Sequence, residues 1–326
     1  MSPSDKNRDP RRSVSDPRIF FPSADPELIY LGNGQEDPPT SVRGRQALLL
    51  VERRTGRLRQ ALFGQTIIQG TCLPNKKCYL TSSSNNTFFV WDETRLAFER
   101  TLKFPAPYRP RWVFPDATGD TLYLGFDGKP RIERLDAVTL NGLTERTIDQ
   151  SRAGGLAYLL RDPTSGELYA LTEEVILNDR PITRLTADLQ AVASFRLPWL
   201  RLLCGQGYLI SMVIDNDRKE LYATAILDGA VYIFDLTSGR YVGQVPVGVG
   251  VRQLAYDAVG HRLFASNYVD GTITVLDMTT RQSTDRIFIG KRAREMFYDS
   301  TNDRLYATSV NGWLEIDVSA GKKPGV

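Results

Sequence analysis

The stretch RQLAYDAVGHRLFASNYVDGTITVLDMTTRQSTDRIFIG, residues 252–290, contains the pattern that decides the fold. It alternates apolar and polar residues in short runs separated by turn residues, which is typical of antiparallel strands. The predicted strands are Arg252–Asp257, Arg262–Tyr268, Thr272–Asp277 and Asp285–Ile289. The pair Asp270-Gly271 predicts a two-residue type I′ turn, which needs positive φ at both central positions. The stretch therefore predicts one four-stranded antiparallel sheet.

The same pattern recurs along the whole chain. An aromatic residue in a Leu-Tyr-Ala-like setting marks the second strand of each unit: Tyr30, Tyr79, Tyr123, Tyr169, Tyr222, Phe264 and Tyr306. Neighbouring members are 49, 44, 46, 53, 42 and 42 residues apart. This period is typical of four-stranded propeller blades, whereas helical repeats of that length would show amphipathic helices. The repeat predicts an all-β chain, a seven-bladed β-propeller of four-stranded antiparallel blades.

The two chain ends leave the last blade open to two interpretations. Ser319–Val326 is rich in Gly and Lys and does not look like a fourth strand. The seventh blade is therefore three-stranded, or it borrows Arg11–Asp16 from the N-terminal arm to cover its exposed edge. The predicted organisation is a polar, disordered arm over residues 1–17, a propeller over 18–319 and a flexible tail over 320–326.

Acidic residues end the third strand of six units. They are Glu52, Asp92, Asp136, Asp235, Asp277 and Asp317. Short polar side chains at such positions bond their own backbone and set the following turn. This spacing predicts a structural role for the six acids and no metal cluster.

Several segments of the repeat resemble a known family. Those most similar to YVTN-type β-propeller repeats are Ser266-Asn267-Tyr268, Gly271–Asp277, Ile287–Gly290 and Tyr222–Gly248. The resemblance covers residues 205–318 and is degenerate over 18–204. Trp91-Asp92 matches the dipeptide of WD40 repeats, but it occurs once and lacks the Gly-His partner. Resemblance to the YVTN family, among the WD40-like and quinoprotein-like propellers, implies a seven-bladed scaffold and no single activity.

A set of arginines stands out from the repeat. The residues twelve positions before the blade aromatics are Arg18, Ile67, Arg111, Ala157, Ile210, Arg252 and Arg294, and Arg292 lies close by. In a propeller these positions start the innermost strands and converge on one mouth of the central channel. Guanidinium groups gathered there raise the local positive potential and offer paired donors to carboxylate or phosphate. Two interpretations stay open: a site for an anion or acidic partner, or a structural role in which they bond neighbouring carbonyls or pair with Glu295.

Two insertions depart from the repeat and are expected on the same face as the arginines. They are Gly32–Arg45 and Leu197–Tyr208. Insertions on one face of a repeat protein often mark its binding face. Trp199, Leu200, Leu202 and Leu203 form an apolar patch for a partner, or they fold down over the channel mouth.

Composition excludes several classes of function. The formal charge of +3, from 41 basic and 38 acidic residues, argues against a general nucleic-acid binder. No apolar run approaches the roughly 18 residues of a membrane span. The N-terminus lacks the apolar core of a secretory signal, which predicts a cytoplasmic protein unless an upstream leader directs it to the periplasm or the cell surface. No phosphate-binding or dinucleotide-binding glycine motif occurs, and the single histidine, His261, is predicted at the surface of a turn, which argues against a Ser-His-Asp triad.

The three cysteines offer little metal chemistry. Cys72 and Cys78 flank a predicted turn and either face each other across it as a disulfide or pack as small apolar residues, the interpretation we prefer. Cys204 is left over in either case. One histidine and the absence of CxxC and CxxCH motifs argue against a zinc site and against covalently attached haem. No metal or cofactor is predicted.

These patterns favour a non-catalytic propeller scaffold that binds another macromolecule, a protein, through one loop-rich face. The candidate binding residues are Arg18, Arg111, Arg252, Arg292, Arg294, Trp199, Leu200 and Leu202. The alternative is a lactonase-like hydrolase acting on an anionic sugar-phosphate lactone in the channel, since some propellers related to YVTN proteins have that activity. Such an enzyme needs a base or metal-bound water, and Glu295 is the acid nearest the predicted mouth.

Overall fold

A computed structural model describes residues 19–32, 47–53, 55, 57–63, 66–148, 155–172, 181–198 and 208–319. These residues form seven antiparallel sheets and contain no α-helix. Accordingly, no helix among them is long and apolar enough to cross a membrane. Strands follow one another within each sheet in chain order. The sheets are the blades of a seven-bladed β-propeller.

The strands of the first four sheets are β1 (Ile19–Pro22), β2 (Leu28–Gly32), β3 (Ala47–Glu52) and β4 (Leu58–Phe63); β5 (Gln69–Cys72), β6 (Lys77–Ser82), β7 (Thr87–Asp92) and β8 (Ala97–Lys103); β9 (Arg109–Pro115), β10 (Thr121–Asp127), β11 (Arg131–Asp136) and β12 (Gly142–Thr147); and β13 (Leu156–Arg161), β14 (Leu168–Thr172), β15 (Ile182–Leu185) and β16 (Ala191–Phe195). The strands of the last three sheets are β17 (Leu209–Asp215), β18 (Glu220–Ala225), β19 (Ala230–Asp235) and β20 (Tyr241–Pro246); β21 (Val251–Asp257), β22 (Arg262–Asn267), β23 (Thr272–Asp277) and β24 (Gln282–Phe288); and β25 (Met296–Asp299), β26 (Arg304–Ser309) and β27 (Gly312–Asp317).

The predicted blade count and strand order are confirmed. Six sheets have four strands, and the seventh has three among the described residues. The alternative fourth strand, Arg11–Asp16, lies outside the described residues. The chain divides into two compact units, an N-terminal unit that holds the first four sheets and a C-terminal unit that holds the last three.

Each unit is held together by apolar cores between consecutive sheets. The repeat aromatics lie in the second strands and are almost fully buried. In the first core, Tyr30 packs with Trp91 of the next sheet, and the indole N–H donates to the Tyr30 hydroxyl at 2.8 Å. In the sixth and seventh sheets, Phe264 stacks on Tyr298 with ring centroids 5.6 Å apart. Burial of each such side chain contributes roughly 1.5–3 kcal/mol, which explains why the aromatic recurs in every blade.

The predicted type I′ turn at Asp270-Gly271 is wrong. Asn267 pairs with Thr272, so the loop between β22 and β23 has four residues, of which only Gly271 has positive φ, at 70°. The Gly271 N–H donates to the Asn267 carbonyl at 2.9 Å. The Asp270 carboxylate accepts the Val249 N–H at 2.9 Å instead of tightening its own turn. The longer loop is therefore hydrogen-bonded to the segment that precedes β21.

Five of the six acids that end the third strands have the predicted structural role, whereas Glu52 accepts the Thr55 hydroxyl and pairs with Arg57 and Arg59. Asp92 accepts the backbone N–H groups of Thr94 and Arg95, at 2.8 and 3.0 Å. Asp136, Asp235, Asp277 and Asp317 make equivalent bonds to the residues that follow them. Each of these five carboxylates thus caps the turn into the fourth strand or, in the last sheet, the end of β27.

Asp92 predicts a pH dependence of stability. The Lys77 ammonium, 2.8 Å away, and the N–H groups of Arg95 and Thr94 lower the pKa of Asp92 to about 2 from its ordinary value of 3.8. Because the pKa is lower in the folded chain, the stabilisation is present at neutral pH and is lost between about pH 4 and about pH 2. Asp92→Asn should therefore lose stability at neutral pH, and its difference from the wild type should shrink in that acidic range. Urea unfolding across pH tests this, and a difference independent of pH would contradict the assignment.

Candidate functional site

The position twelve residues before the blade aromatic lies in a β-bulge in four sheets. The residues there are Arg111 in β9, Ala157 in β13, Ile210 in β17 and Arg252 in β21. In each case the first strand carries an extra residue opposite the second strand. Bulges redirect a side chain away from the regular alternation of a strand. The local fold therefore gives this position a special orientation whatever residue occupies it.

Hydroxyl groups anchor the arginine members of this set through their main chain. Thr81 Oγ1 donates to the Arg111 carbonyl at 2.8 Å, and Ser266 Oγ donates to the Arg294 carbonyl at 2.9 Å. The Thr224 hydroxyl lies 3.4 Å from the carbonyl of Arg252. Each of these bonds joins one sheet to the next and uses only the backbone of the arginine. The anchoring therefore does not explain why the side chain is arginine.

The hydroxyl residue has a sequence signal that the repeat analysis missed. Thr81, Thr224 and Ser266 stand two positions after the blade aromatic. In the units that precede Ile67, Ala157 and Ile210, the corresponding residues are Gly32, Gly125 and Leu171. A Ser or Thr at this position thus occurs together with an arginine in the next unit. The hydrogen bond uses only the backbone of that residue, and we have no physical account of why its side chain is arginine.

In the C-terminal unit the structure brings together Arg252, Tyr268, Arg292 and Arg294, which we call the arginine–tyrosine cluster. The guanidinium carbons of Arg252 and Arg294 lie 5.8 and 5.3 Å from the centroid of the Tyr268 ring. Arg294 Nη2 is 3.5 Å from the Tyr268 hydroxyl. The Arg292 N–H donates to the Tyr268 carbonyl at 3.0 Å, and Arg292 has positive φ. One tyrosine therefore organises three of the predicted arginines.

The cluster is suited to anion recognition. A guanidinium over an aromatic face is stabilised there by cation–π attraction, and its planar N–H groups still match a carboxylate or phosphate. Arg252 and Arg294 are half-buried, and Arg292 and Lys291 are exposed. The arginine–tyrosine cluster therefore combines positive charge with ordered side chains that are partly shielded from water.

The other predicted arginines are placed differently. Arg111 belongs to the N-terminal unit, where its Nη1 is 3.6 Å from Asp127 Oδ2 and its guanidinium lies 5.3 Å from the Trp112 ring centroid. Asp127 also accepts Arg109 at 3.0 Å, so the charge of Arg111 is partly balanced. Arg18 lies outside the described residues, as do Trp199, Leu200 and Leu202.

Asp215, Asp217 and His261 form a group with the spacing of metal ligands. Asp215 is buried and accepts the Tyr222 hydroxyl at 3.1 Å and the Tyr256 hydroxyl. Burial and the charge of Asp215 raise the pKa of Tyr222. His261 is half-buried in its turn, with Nδ1 3.4 Å from the Tyr256 hydroxyl. The two phenols satisfy Asp215, so its hydrogen bonds explain this group without a metal.

The preferred interpretation of Cys72 and Cys78 as unbonded apolar residues is wrong. They lie opposite each other at the start of the β5–β6 hairpin, with Cα atoms 4.0 Å apart, and form a disulfide. Glu93, which sequence analysis did not single out, lies beside them, with Oε1 3.7 Å from Cys72 Sγ. No short sequence motif connects these three residues, because most of the β6–β7 hairpin lies between Cys78 and Glu93.

Comparison with known proteins gives a fold. No family model matches the sequence, and no curated protein matches it. A solved structure, Kuenenia stuttgartiensis Hydrazine Synthase, is similar with a TM-score of 0.77 over 94% of this chain and 97% of that chain, at 14% sequence identity. The likeness is to a propeller fold. At that identity it carries no inference about the site.

Proposed function

We propose that this β-propeller is a non-catalytic scaffold that binds an acidic macromolecular partner, a protein, through the arginine–tyrosine cluster. The single observation that carries the proposal is the position of two guanidiniums against the ring of Tyr268. A tyrosine with flanking arginines has the composition of an interface hot spot, in which aromatic and arginine residues are enriched. The resemblance to YVTN-type repeats is compatible with such a role and does not select it.

Charge supports an acidic partner. Arg252 and Arg294 lie against the ring of Tyr268, and Lys291 and Arg292 precede Arg294 in the chain. Two acids lie nearby, namely Asp270, whose carboxylate accepts the Val249 N–H, and Glu295, which directly follows Arg294. Positive side chains grouped on a low-dielectric surface attract and orient an acidic partner before contact. The sequence adds Trp199, Leu200 and Leu202 as an apolar anchor, and this part of the proposal rests on the sequence alone.

Binding of a fluorescein-labelled oligoglutamate peptide tests the charged part of the proposal. Each ion pair at such a half-buried surface position contributes up to about 1 kcal/mol, so Arg252→Ala with Arg294→Ala should weaken peptide binding by up to about 30-fold. The measurement is fluorescence anisotropy at low and high salt, with thermal unfolding to verify that the variant is folded. The double variant Arg252→Lys with Arg294→Lys keeps the positive charge but removes the planar guanidinium groups. Its affinity therefore distinguishes electrostatic attraction from paired hydrogen bonds to the carboxylates.

A matched control removes equal charge elsewhere in the same unit. Arg240 and Arg281 are exposed on other turns of the C-terminal unit, so their double alanine variant should bind the peptide nearly as tightly as the wild type. Equal losses in both double variants would mean that only net charge matters, and the proposed site would be wrong. Competition by inorganic phosphate at low concentration would instead identify a small anion as the ligand. Nothing in the described residues favours the lactonase hypothesis, which stays a prediction.

A further inference from the structure

Two cysteines and a glutamate converge at one corner of the second sheet. Cys72 ends β5, Cys78 lies near the start of β6, and Glu93 follows β7. One ligand atom from each lies within 4.8 Å of the other two. Ligand atoms around a tetrahedral zinc ion are roughly 3.5 Å apart, given zinc–ligand distances of about 2.0–2.3 Å. The Cys72 Sγ to Glu93 Oε1 distance of 3.7 Å is already in that range.

The Glu93 carboxylate is held in position by an outer set of donors. Oε1 accepts the Ser23 hydroxyl at 2.7 Å, and Oε2 accepts the Ala24 N–H at 3.2 Å. The Tyr30 hydroxyl also bonds the carboxylate, and the Glu93 N–H donates to the Lys76 carbonyl at 2.9 Å. Carboxylates that bind metals are typically oriented by such partners. Glu93 therefore has the support that a ligand needs.

The Glu93 side of this corner borders a cavity. Ser23 and Glu93 line this cavity of about 510 Å³, together with Asp25, Glu27 and Glu52. Arg59 and Lys76 also line the cavity, so its four carboxylates exceed its two basic groups, and this surplus of negative charge attracts cations. Its volume is large enough to hold water next to Glu93. Cys78 is fully buried in the apolar core with Tyr30 and Trp91, which places the site in a low-dielectric environment.

We propose that this corner is a redox-gated zinc site, in which Cys72 Sγ, Cys78 Sγ and the Glu93 carboxylate bind Zn²⁺ once the disulfide is reduced. A dithiol supplies two electrons and two protons, which break the S–S bond and give two thiols, while the dithiol itself becomes a disulfide. Zn²⁺ then displaces both thiol protons to solvent, and water occupies the fourth position. Thiolate ligands favour zinc over Mg²⁺ and Ca²⁺. A small-molecule disulfide accepts two electrons from the two thiolates and, with two protons from solvent, becomes two thiols; the Cys72–Cys78 bond forms again and Zn²⁺ is released.

Zinc binding by the full-length chain tests the proposal. A Cys204→Ser background leaves Cys72 and Cys78 as the only cysteines. The protein is oxidised, or reduced with a dithiol and then desalted without oxygen, and titrated with Zn²⁺ against a chromophoric chelator. The reduced form should bind one ion per chain, and the oxidised form none. Co²⁺ in place of Zn²⁺ should give a thiolate charge-transfer absorption in the reduced form alone.

Two glutamate variants test whether zinc binding needs Glu93 or only the two free thiols. Glu93→Gln should weaken zinc binding by the reduced chain at least about tenfold. Glu99→Gln, in β8 of the same sheet, should leave it unchanged because Glu99 pairs with Lys77. Circular dichroism reports whether the reduced chain stays folded. Absence of zinc binding by the reduced form, or equal binding by the reduced Glu93→Gln chain, folded or unfolded, overturns the proposal.

Discussion

Arg262→Met should lower the free energy of unfolding by roughly 3–5 kcal/mol, the loss typical when one member of a buried ion pair is removed. Arg262 is 6% exposed and Asp257 is 1% exposed. The guanidinium donates to Asp257 from Nε at 2.8 Å and from Nη2 at 2.7 Å. Methionine fills much of the same space but leaves the Asp257 carboxylate in the core with the Gly260 N–H as its remaining donor in the described contacts.

Arg262 also joins the sixth sheet to the seventh. Its Nη2 is 2.9 Å from Asp303 Oδ1, and its Nη1 donates to the Val318 carbonyl at the end of the last sheet. The loss in Arg262→Met should therefore appear as lower cooperativity as well as lower stability. Urea unfolding followed by circular dichroism and by tyrosine and tryptophan fluorescence measures both.

Two variants test whether the unpaired charge of the buried Asp257 carboxylate causes this loss of stability. Arg262→Met with Asp257→Asn removes that charge and should be more stable than Arg262→Met alone, because a neutral amide costs less to bury. Arg281→Met changes an exposed arginine that pairs with Glu220 and should cost less than about 1 kcal/mol. If the double variant were no more stable than Arg262→Met, lost packing and not the buried charge would be the cause.

The blade architecture could be predicted because its signals are local and repeated. The buried aromatic of each second strand, as at Tyr222 and Tyr306, recurs at the spacing of a blade, and hydrophobic alternation sets the strands around it. The turn at Asp270-Gly271 could not be predicted from the dipeptide. The observed loop includes a hydrogen bond from the Val249 N–H to the Asp270 carboxylate, and Val249 lies in another link of the chain.

Sequence analysis located the arginines of the cluster but not Tyr268, the residue that they contact. Counting back from the aromatics located Arg252 and Arg294, because the repeat places equivalent residues in equivalent strands. Tyr268 was not predicted as a site residue, since its position between the two guanidiniums follows from the four-residue loop. The burial of Arg262 was missed for a related reason. Asp257 faces Arg262 across the β21–β22 hairpin, but Asp303 belongs to the next sheet, and only packing between the sheets brings Asp303 to this pair.

Gly271→Val should lower the free energy of unfolding by roughly 1–3 kcal/mol and weaken binding of the oligoglutamate peptide. The φ of Gly271 is 70°, in the left-handed region that a β-branched residue strongly disfavours. A Cβ there would lie 2.8 Å from the carbonyl carbon of Gly290 and 2.9 Å from the Lys291 nitrogen. These are backbone atoms, so the Gly290–Arg294 segment must move.

Movement of that segment changes the arginine–tyrosine cluster. The Gly271 carbonyl accepts the Ile289 N–H at 2.9 Å, and the Tyr268 carbonyl in the same loop accepts the Arg292 N–H. A shifted loop therefore displaces Tyr268 relative to Arg294, and peptide binding should weaken several-fold even in fully folded protein. Gly243→Val is the matched control, because Gly243 lies in β20 with no neighbouring atom within 4 Å of an added Cβ. Its stability should stay within about 0.5 kcal/mol of the wild type. Unchanged peptide affinity in folded Gly271→Val would show that the backbone contact between this loop and Gly290 does not position the arginines of the cluster for the proposed binding.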